Sequence, residues 1–381
     1  MQYTFSLNAL NIGNTNLSAE CYMSFTHRDK QWGEIQQNVF NGMKVYNLDI
    51  SYRFNKHFNL LFGRKINPYI SNMGPVDGLQ FEMRFNTITV GLLGGTRPDY
   101  RDYSFNADLP QAGIFVSHEQ KTKNGFLQSS LAFIEQQNSG STDRRFLYLQ
   151  HTNSVVKNLT FFGSAEVDLY RVVFNSQDSI YKQENSAKLS NLYLSLRYRA
   201  SRKLSFSISY NARQNVVYYE TYKSILDKLT DLKTLQGYLF QFSYRPINQL
   251  SLGANVGYRF RPQDPRDTKN LYAYVTYSRI PTLGISATLS ATLLQTGYLN
   301  GNIFGLGIDR DFAKGKLNAG LAYRFVDYGF LFEQEPVIQN VGEASLTWRI
   351  LKRISCSLYY EGTFEKINQN NRLYVQLNLG F

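Results

Sequence analysis

The residues of this chain that could do chemistry are its charged side chains, and their spacing says more than their number. Arg53, Arg84, Arg197, Arg199, Arg213, Arg245, Arg259, Arg324 and Arg349 lie in segments where every second residue is apolar. So do Glu20, Asp49, Glu82, Glu166, Asp168, Asp309, Glu343 and Glu361. Side chains of an extended strand alternate between two faces, so each of these groups falls opposite an apolar row. Bases and acids in near balance on one face can pair along a wall and satisfy each other. They can equally line a wet passage with a mild preference for anions. Strong charge selectivity needs rings of one sign, and the near balance argues against one.

Catalytic, metal or cofactor chemistry is not indicated. The P-loop pattern and the H-E-x-x-H and C-x-x-C motifs are absent, and with them the phosphate cradle, zinc pair and redox pair that those spacings supply. His27, His57, His118 and His151 fall at strand ends, the ordinary place for a solvated rim histidine. His27, between Thr26 and Arg28-Asp29, is the best placed to serve as a base; no enzyme activity and no cofactor are expected. Cys21 (beside Ala19 and Met23) and Cys356 (beside Ile354 and Leu358) occupy apolar rows, as buried or lipid-facing free thiols rather than a disulfide or metal pair. The net charge of +12 could attract nucleic acid. No block of five or more cations occurs, however, and the cations are scattered near strand ends, so no nucleic-acid partner is expected.

Three loops carry further candidates. The segment Arg64 to Gly78 is unusually apolar; Pro68, Gly74 and Pro75 give it turns, and Tyr69, Ile70 and Met73 need shelter. It is expected to fold inward as a constriction, with packing as a cap the alternative, since loops carry a disproportionate share of function. The segment Arg97 to Asn106 mixes guanidinium, carboxylate and aromatic groups; that mixture suits a self-paired surface loop, or contact with polar solutes such as sugars. Between Tyr219 and Lys233, Tyr222, Ile225, Leu226, Leu229 and Leu232 recur at helical spacing, which predicts a short amphipathic helix packed on a rim.

The elements that must position these residues are repeated hairpins. Leu192–Tyr198 turns at Ala200–Lys203 into Leu204–Tyr210, Phe240–Arg245 turns at Pro246–Gln249 into Leu250–Tyr258, and Ala344–Arg349 turns around Lys352 into Ile354–Tyr360. Tyr46–Phe54 and Phe58–Phe62 make the same unit. Each has apolar residues at alternate positions, a tight basic turn and an aromatic beside it. Tyr52, Tyr198, Tyr244 and Trp348 are candidates for one girdle at a water–lipid boundary, where an amphipathic ring is best accommodated. Short turns near 55–57, 86–87, 121–125, 200–203, 246–249, 313–315 and 351–353 alternate with longer loops. The longer ones lie near 28–43, 65–77, 97–110, 137–143, 172–188, 214–236, 261–268, 327–338 and 365–371. No Pro/Gly/Ser-rich linker divides the chain, so residues 1–381 read as one domain. The mean hydropathy of −0.35 is compatible with a membrane, because strands that alternate lipid-facing and lumen-facing residues average out.

The last nine residues run Leu373-Tyr374-Val375-Gln376-Leu377-Asn378-Leu379-Gly380-Phe381, apolar at every second position and ending on an aromatic. This closing strand resembles that of bacterial outer-membrane β-barrels, porin-like proteins among them. The resemblance implies that Leu377, Leu379 and Phe381 act as the signal read by the barrel-insertion machinery. It also implies an integral outer-membrane location, contact with the bilayer and its lipopolysaccharide, and possible outer-membrane protein partners. The fold expected is all-β: a transmembrane antiparallel up-and-down barrel of about 20–22 strands, with short periplasmic turns and longer extracellular loops. If Phe381 ends at the periplasm, the first strand starts on the outer face, so a strand upstream is missing or the count is off by one. The opening residues Met1 to Phe5 lack a secretory signal, which is therefore missing or removed. The function expected is a passive or weakly selective channel for small polar solutes. A non-conducting barrel that scaffolds a membrane complex is the alternative.

Overall fold

The computed structural model describes residues 2–27, 32–99, 102–175, 180–185, 187–213, 236–260, 265–331, 335–351, 353–366 and 368–379. They form twenty-two strands, of which twenty-one have eight residues or more and Ile180–Glu184 has five. Strands pair antiparallel, almost always with the next in sequence; the exception is that Ile180–Glu184 and Lys188–Tyr198 both pair with Leu159–Asn175. The all-β, antiparallel up-and-down strand arrangement is the one expected. The chain divides into two compact units, Gln2–Leu196 with Ala212–Glu220, and Arg197–Asn211 with Thr221–Phe381 (and Met1).

In the N-terminal unit the register runs through Leu7, Cys21 and Leu48 on one row, and through Glu20 and Asp49 on the next. The first row belongs to an apolar face that stays exposed: Phe62 is 63% exposed. The opposite face is buried or polar, with Gln80, Phe115, Ile134 and Tyr148 all enclosed. Successive antiparallel strands reverse direction, so connections 27–42, 67–74 and 97–109 leave from one edge of this unit. The tighter turns 54–57, 86–87 and 122–125 leave from the other.

The C-terminal unit repeats the pattern. On Ile285–Gln295, Leu289 and Leu293 are exposed, and Leu321, Ile308, Val256 and Leu358 continue the apolar face on neighbouring strands. Ser207, Asn255 and Glu361 occupy the opposite alternation. Tyr198, Tyr244 and Trp348 lie on the apolar face beside the short turns, as Tyr52 does in the N-terminal unit. Sequence reading missed a second aromatic set at the other edge of the C-terminal unit. There the hydroxyls of Tyr258, Tyr323 and Tyr360 donate to Asp267 (2.5 Å), Asn340 (2.5 Å) and Asn371 (2.7 Å). An amphipathic ring ending in a bonded hydroxyl suits a boundary between apolar and wet surroundings.

Several loop boundaries differ from expectation. The stretch 137–143 is no long loop: Phe126–Asn138 and Ser141–Asn153 are joined by Ser139 (φ 50°) and Gly140 (φ 81°), a two-residue hairpin turn. Strands run on through Phe330 and restart at Val337, and restart again at Gln369, so the loops expected at 327–338 and 365–371 shrink to a few residues. Polar strand ends there resemble loops in composition. The expected helix at Tyr219–Lys233 and the terminal Phe381 lie outside the described residues.

Candidate functional site

On the polar face of the N-terminal unit the charges are paired, but mostly with residues that alternation had not singled out. Asp49 is almost fully enclosed. Lys65 reaches both Asp49 (3.3 Å) and Glu20 (3.1 Å), and Asn47 donates to Glu20 (3.1 Å). Asn59 donates to Glu82 (3.4 Å). Glu166 and Asp168 share Arg144, whose guanidinium donates to Asp168 (2.7 Å) and to Glu166 (2.7 Å) and lies 4.0 Å above the Phe146 ring. Asn191 (2.9 Å to Glu166) and Ser190 (3.1 Å to Asp168) complete the shell. Enclosing two carboxylates this far is costly unless such a cation and such donors pair with them. Arg144 escaped sequence reading because both alternations of its strand look apolar: Phe146 and Tyr148 on one, Leu147 and Leu149 on the other.

The loop between Phe58–Ile66 and Pro75–Phe85 lies on this same face. Asn67 caps a short 3-10 turn, Pro68–Met73, by accepting from Tyr69 N (2.8 Å), and donates to Gln80 (3.0 Å). Tyr69, Ile70 and Met73 are buried against Val76, Leu93, Phe115, Ala132, Ile134, Phe146 and Tyr148. The Tyr69 ring stacks on Phe115 (5.4 Å), and its hydroxyl accepts from Arg84 (2.8 Å). Ser71 donates to Gln150 (3.0 Å), whose amide reaches Pro68 O (3.4 Å). Gly91 makes room for this packing, since a Cβ there would sit 2.2 Å from the Phe115 ring. Pro68 and Pro75 stand at the two ends of the loop. The sequence candidates of this segment are thus gathered in one place, and Asn67, Gln80 and Phe115 join them.

The 97–109 connection is tied down by its own polar groups. Arg97 donates to Gln136 (3.3 Å) and Gln137 O (3.1 Å) and pairs with Asp143 (3.4 Å). Tyr103 O accepts from Arg64 (2.5 Å), which also grips Asp77 through two bonds of 2.5 Å. The Tyr103 ring lies 5.4 Å from Tyr46, with Lys44 above it. Asp102 accepts from Ser104 N (2.9 Å) and Asn38 (3.3 Å). Burial pushes the Asp102 carboxyl up, but the bonds from Ser104 and Asn38 outweigh it and hold the group below the usual carboxylate range.

Among the described residues of the C-terminal unit, the polar face carries one charge cluster. Arg324 bonds Glu343 and reaches Glu361 (3.5 Å), which Arg372 approaches from the other side (3.6 Å). Much of the rest is hydroxyl and amide: Ser207 with Gln241 (3.0 Å), Thr276 with Thr288 (2.9 Å), Thr347 with Ser357 (3.0 Å). Arg245 donates to Ser251 (3.3 Å), and Arg213 and Arg259 end their strands on the polar alternation. Arg53, Arg197 and Arg349 are exposed at the short-turn ends of theirs, and Asp309 is exposed on the same alternation. Arg199 is a correction: its strand ends at Tyr198, so it belongs to the turn and not to the wall.

The His27 ring lies 4.4 Å from that of Trp32, tilted against it by 33°. Among the described residues a serine–histidine contact lies elsewhere, Ser129 Oγ to His151 Nδ1 at 2.8 Å on the apolar face. Both residues stand in a paired ladder that ties up their backbone amides, so no oxyanion hole forms beside them. Cys21 and Cys356 are free, Cys21 buried and Cys356 half-buried. Cys21 lies on the apolar row as expected, covered by its neighbours Leu7 and Leu48 rather than open.

No protein-family model matches the sequence, and no curated protein is detectably similar to it. Among solved structures, the chain is similar to the P pilus usher (PapC) translocation pore, with TM-score 0.53 and 11% identity over 99% of this chain and 94% of that one. At that identity the likeness shows the fold alone. It also resembles OccK9 (OpdG) of Pseudomonas aeruginosa, with TM-score 0.44 and 13% identity over 95% of this chain and 97% of that one. A BenF-like porin from Pseudomonas fluorescens Pf-5 gives TM-score 0.42 and 10% identity over 95% and 98%.

Proposed function

We propose that residues 1–381 act as a single integral β-barrel of a bacterial outer membrane, a channel for small polar solutes with little charge preference. The observation that carries this reading is the opposition of faces. Strand after strand turns leucine, isoleucine and phenylalanine outward, unburied, while the other face holds paired charges, amides and hydroxyls. Each large apolar side chain left in water forgoes about 1.5–3 kcal/mol of burial free energy, and a lipid surround restores it. The fold likeness to a translocation pore is compatible with this. In the proposal Tyr69, Ile70 and Met73 narrow the lumen, held between Pro68 and Pro75, and the wall carries its charges as neutralised pairs. Leu377 and Leu379, exposed on the apolar row of the last strand, serve with Phe381 as the signal to the insertion machinery. The outer surface meets phospholipid and lipopolysaccharide.

Purified protein in a planar bilayer tests the channel. Stepwise conductance with weak ion selectivity is the expected result, and a folded, inserted barrel giving no steps would overturn it. One observation favours the second reading, a non-conducting scaffold: the ten-residue apolar cluster that the 67–74 loop forms with the strands beneath it fills part of the polar face. That reading requires silence from the wild type.

A further inference from the structure

We propose that the apolar face of the C-terminal unit binds one anionic glycerophospholipid, its phosphate on Arg310 and an acyl chain in the groove beside it. The proposal rests on the membrane-barrel reading above. On strand Leu299–Phe312 the exposed apolar row is Phe304, Leu306, Ile308 and Phe312, and Arg310 falls on that row. Its sequence neighbours Asp309 and Asp311 take the opposite alternation, where Asn318 donates to Asp311 (3.0 Å). Among the described residues no carboxylate lies within ion-pair reach of Arg310; its guanidinium sits 5.0 Å over the Phe312 ring. A cation on a lipid-facing row is costly at the midplane of a bilayer and nearly free of penalty near its interface. Arg310 lies two residues from the short turn, one row inside Trp348, at the level where an amphipathic girdle meets the headgroups.

A groove of about 450 Å³ opens beside it. Ala319, directly opposite Arg310, and Ala344 supply a floor of methyl groups, and Leu321, Leu346 and Leu358 rise around it. Small residues on an otherwise bulky apolar face leave a trough that a lipid tail fills. Lys314 and Lys316 in the adjoining turn add positive charge at the groove's headgroup end. A guanidinium recognises phosphate through two parallel hydrogen bonds, and basic pockets at a membrane surface select anionic headgroups. Charge and groove together fit a lipid of two parts, an anionic head and a tail.

The test has two stages. Reconstituted full-length protein is first floated with phospholipid vesicles; a chain that stays at the bottom overturns the barrel reading itself. Delipidated protein is then titrated with phosphatidylglycerol and with phosphatidylcholine by native mass spectrometry. Wild type is expected to hold phosphatidylglycerol about tenfold more tightly, the scale of one charge-assisted bond pair. Arg310→Gln should abolish that preference. Ala344→Phe, which fills the groove, should weaken both lipids, with heat-modifiable gel migration confirming that each variant is folded. Arg353→Gln, a cation of a neighbouring turn, should leave the preference intact. Equal binding by wild type and Arg310→Gln overturns the site, as does an equal loss in Arg353→Gln, which would signify diffuse surface charge. Tighter capture of lipopolysaccharide than of phosphatidylglycerol overturns the phospholipid assignment.

Discussion

Arg144 holds two enclosed carboxylates at once, so its removal should be damaging. Arg144→Met would leave Glu166 and Asp168 buried without a cation, at a cost of about 3–5 kcal/mol. Denaturant unfolding in detergent should show this as a fall in midpoint with little change in slope. Replacing both acids as well, by Gln and Asn, should recover part of the loss. Asp102 gives a pH prediction with a definite sign. Its carboxyl is held below the usual range in the folded protein, so the contribution of its bonds to Asn38 and Ser104 is present above about pH 4 and is lost as pH falls through the depressed folded value. Proteolysis within 97–109 should therefore speed up in acid, and Asp102→Asn should flatten that dependence.

At the scale of elements, the 67–74 loop is the piece whose loss should change behaviour without unfolding the molecule. Its backbone joins two strands that pair directly, and its side chains pack on a surface the strands already form. Tyr69→Ala removes the stack on Phe115 and the partner of Arg84 together. It should cost about 3–5 kcal/mol of stability as a large-to-small core change. In the channel reading it should also raise single-channel conductance, recorded in planar bilayers; an unchanged conductance would remove the loop from the permeation path. The strands make a stricter demand. Ile208 is half-exposed on the apolar row, so Ile208→Arg should cost roughly 2–4 kcal/mol if it lies near the midplane. Ser207→Arg, one residue away on the other face, should cost far less. The difference between the two, measured by refolding into lipid, tests the register, because a slip of one residue would reverse it.

For the whole molecule, the exposed apolar face predicts a protein that resists extraction by carbonate and migrates anomalously on gels until heated. The two thiols offer a finer probe. In detergent an apolar maleimide should reach half-buried Cys356 sooner than buried Cys21. A charged, membrane-impermeant reagent should reach neither in intact membranes. Rapid labelling of Cys21 by the charged reagent would place its row in water and contradict the assignment of faces.

Period-two alternation was enough to determine the all-β, up-and-down class, a strand number of about twenty-two, which residues share a face, and the exposed apolar-row positions of Tyr52, Tyr198, Tyr244 and Trp348. Those properties are local: a residue's parity within its strand decides its face, whatever the neighbouring strands are. Alternation also placed most of the charges on the polar face. It could not say which charge meets which, because that depends on register across strands distant in sequence. Lys65 reaches Glu20 and Asp49, and Arg144 reaches Ser190, only once their strands are laid side by side. Where apolar residues occupy both faces, as from Arg144 to Gln150, parity carries no signal, and the apolar bed beneath the loop stayed hidden for that reason. Pro68, Tyr69, Ile70 and Met73 announced a segment in need of shelter. Which surface sheltered them was decided by the tertiary structure, since Leu93, Phe115, Ile134 and Tyr148 come from separate strands and form one surface only when the sheet is assembled.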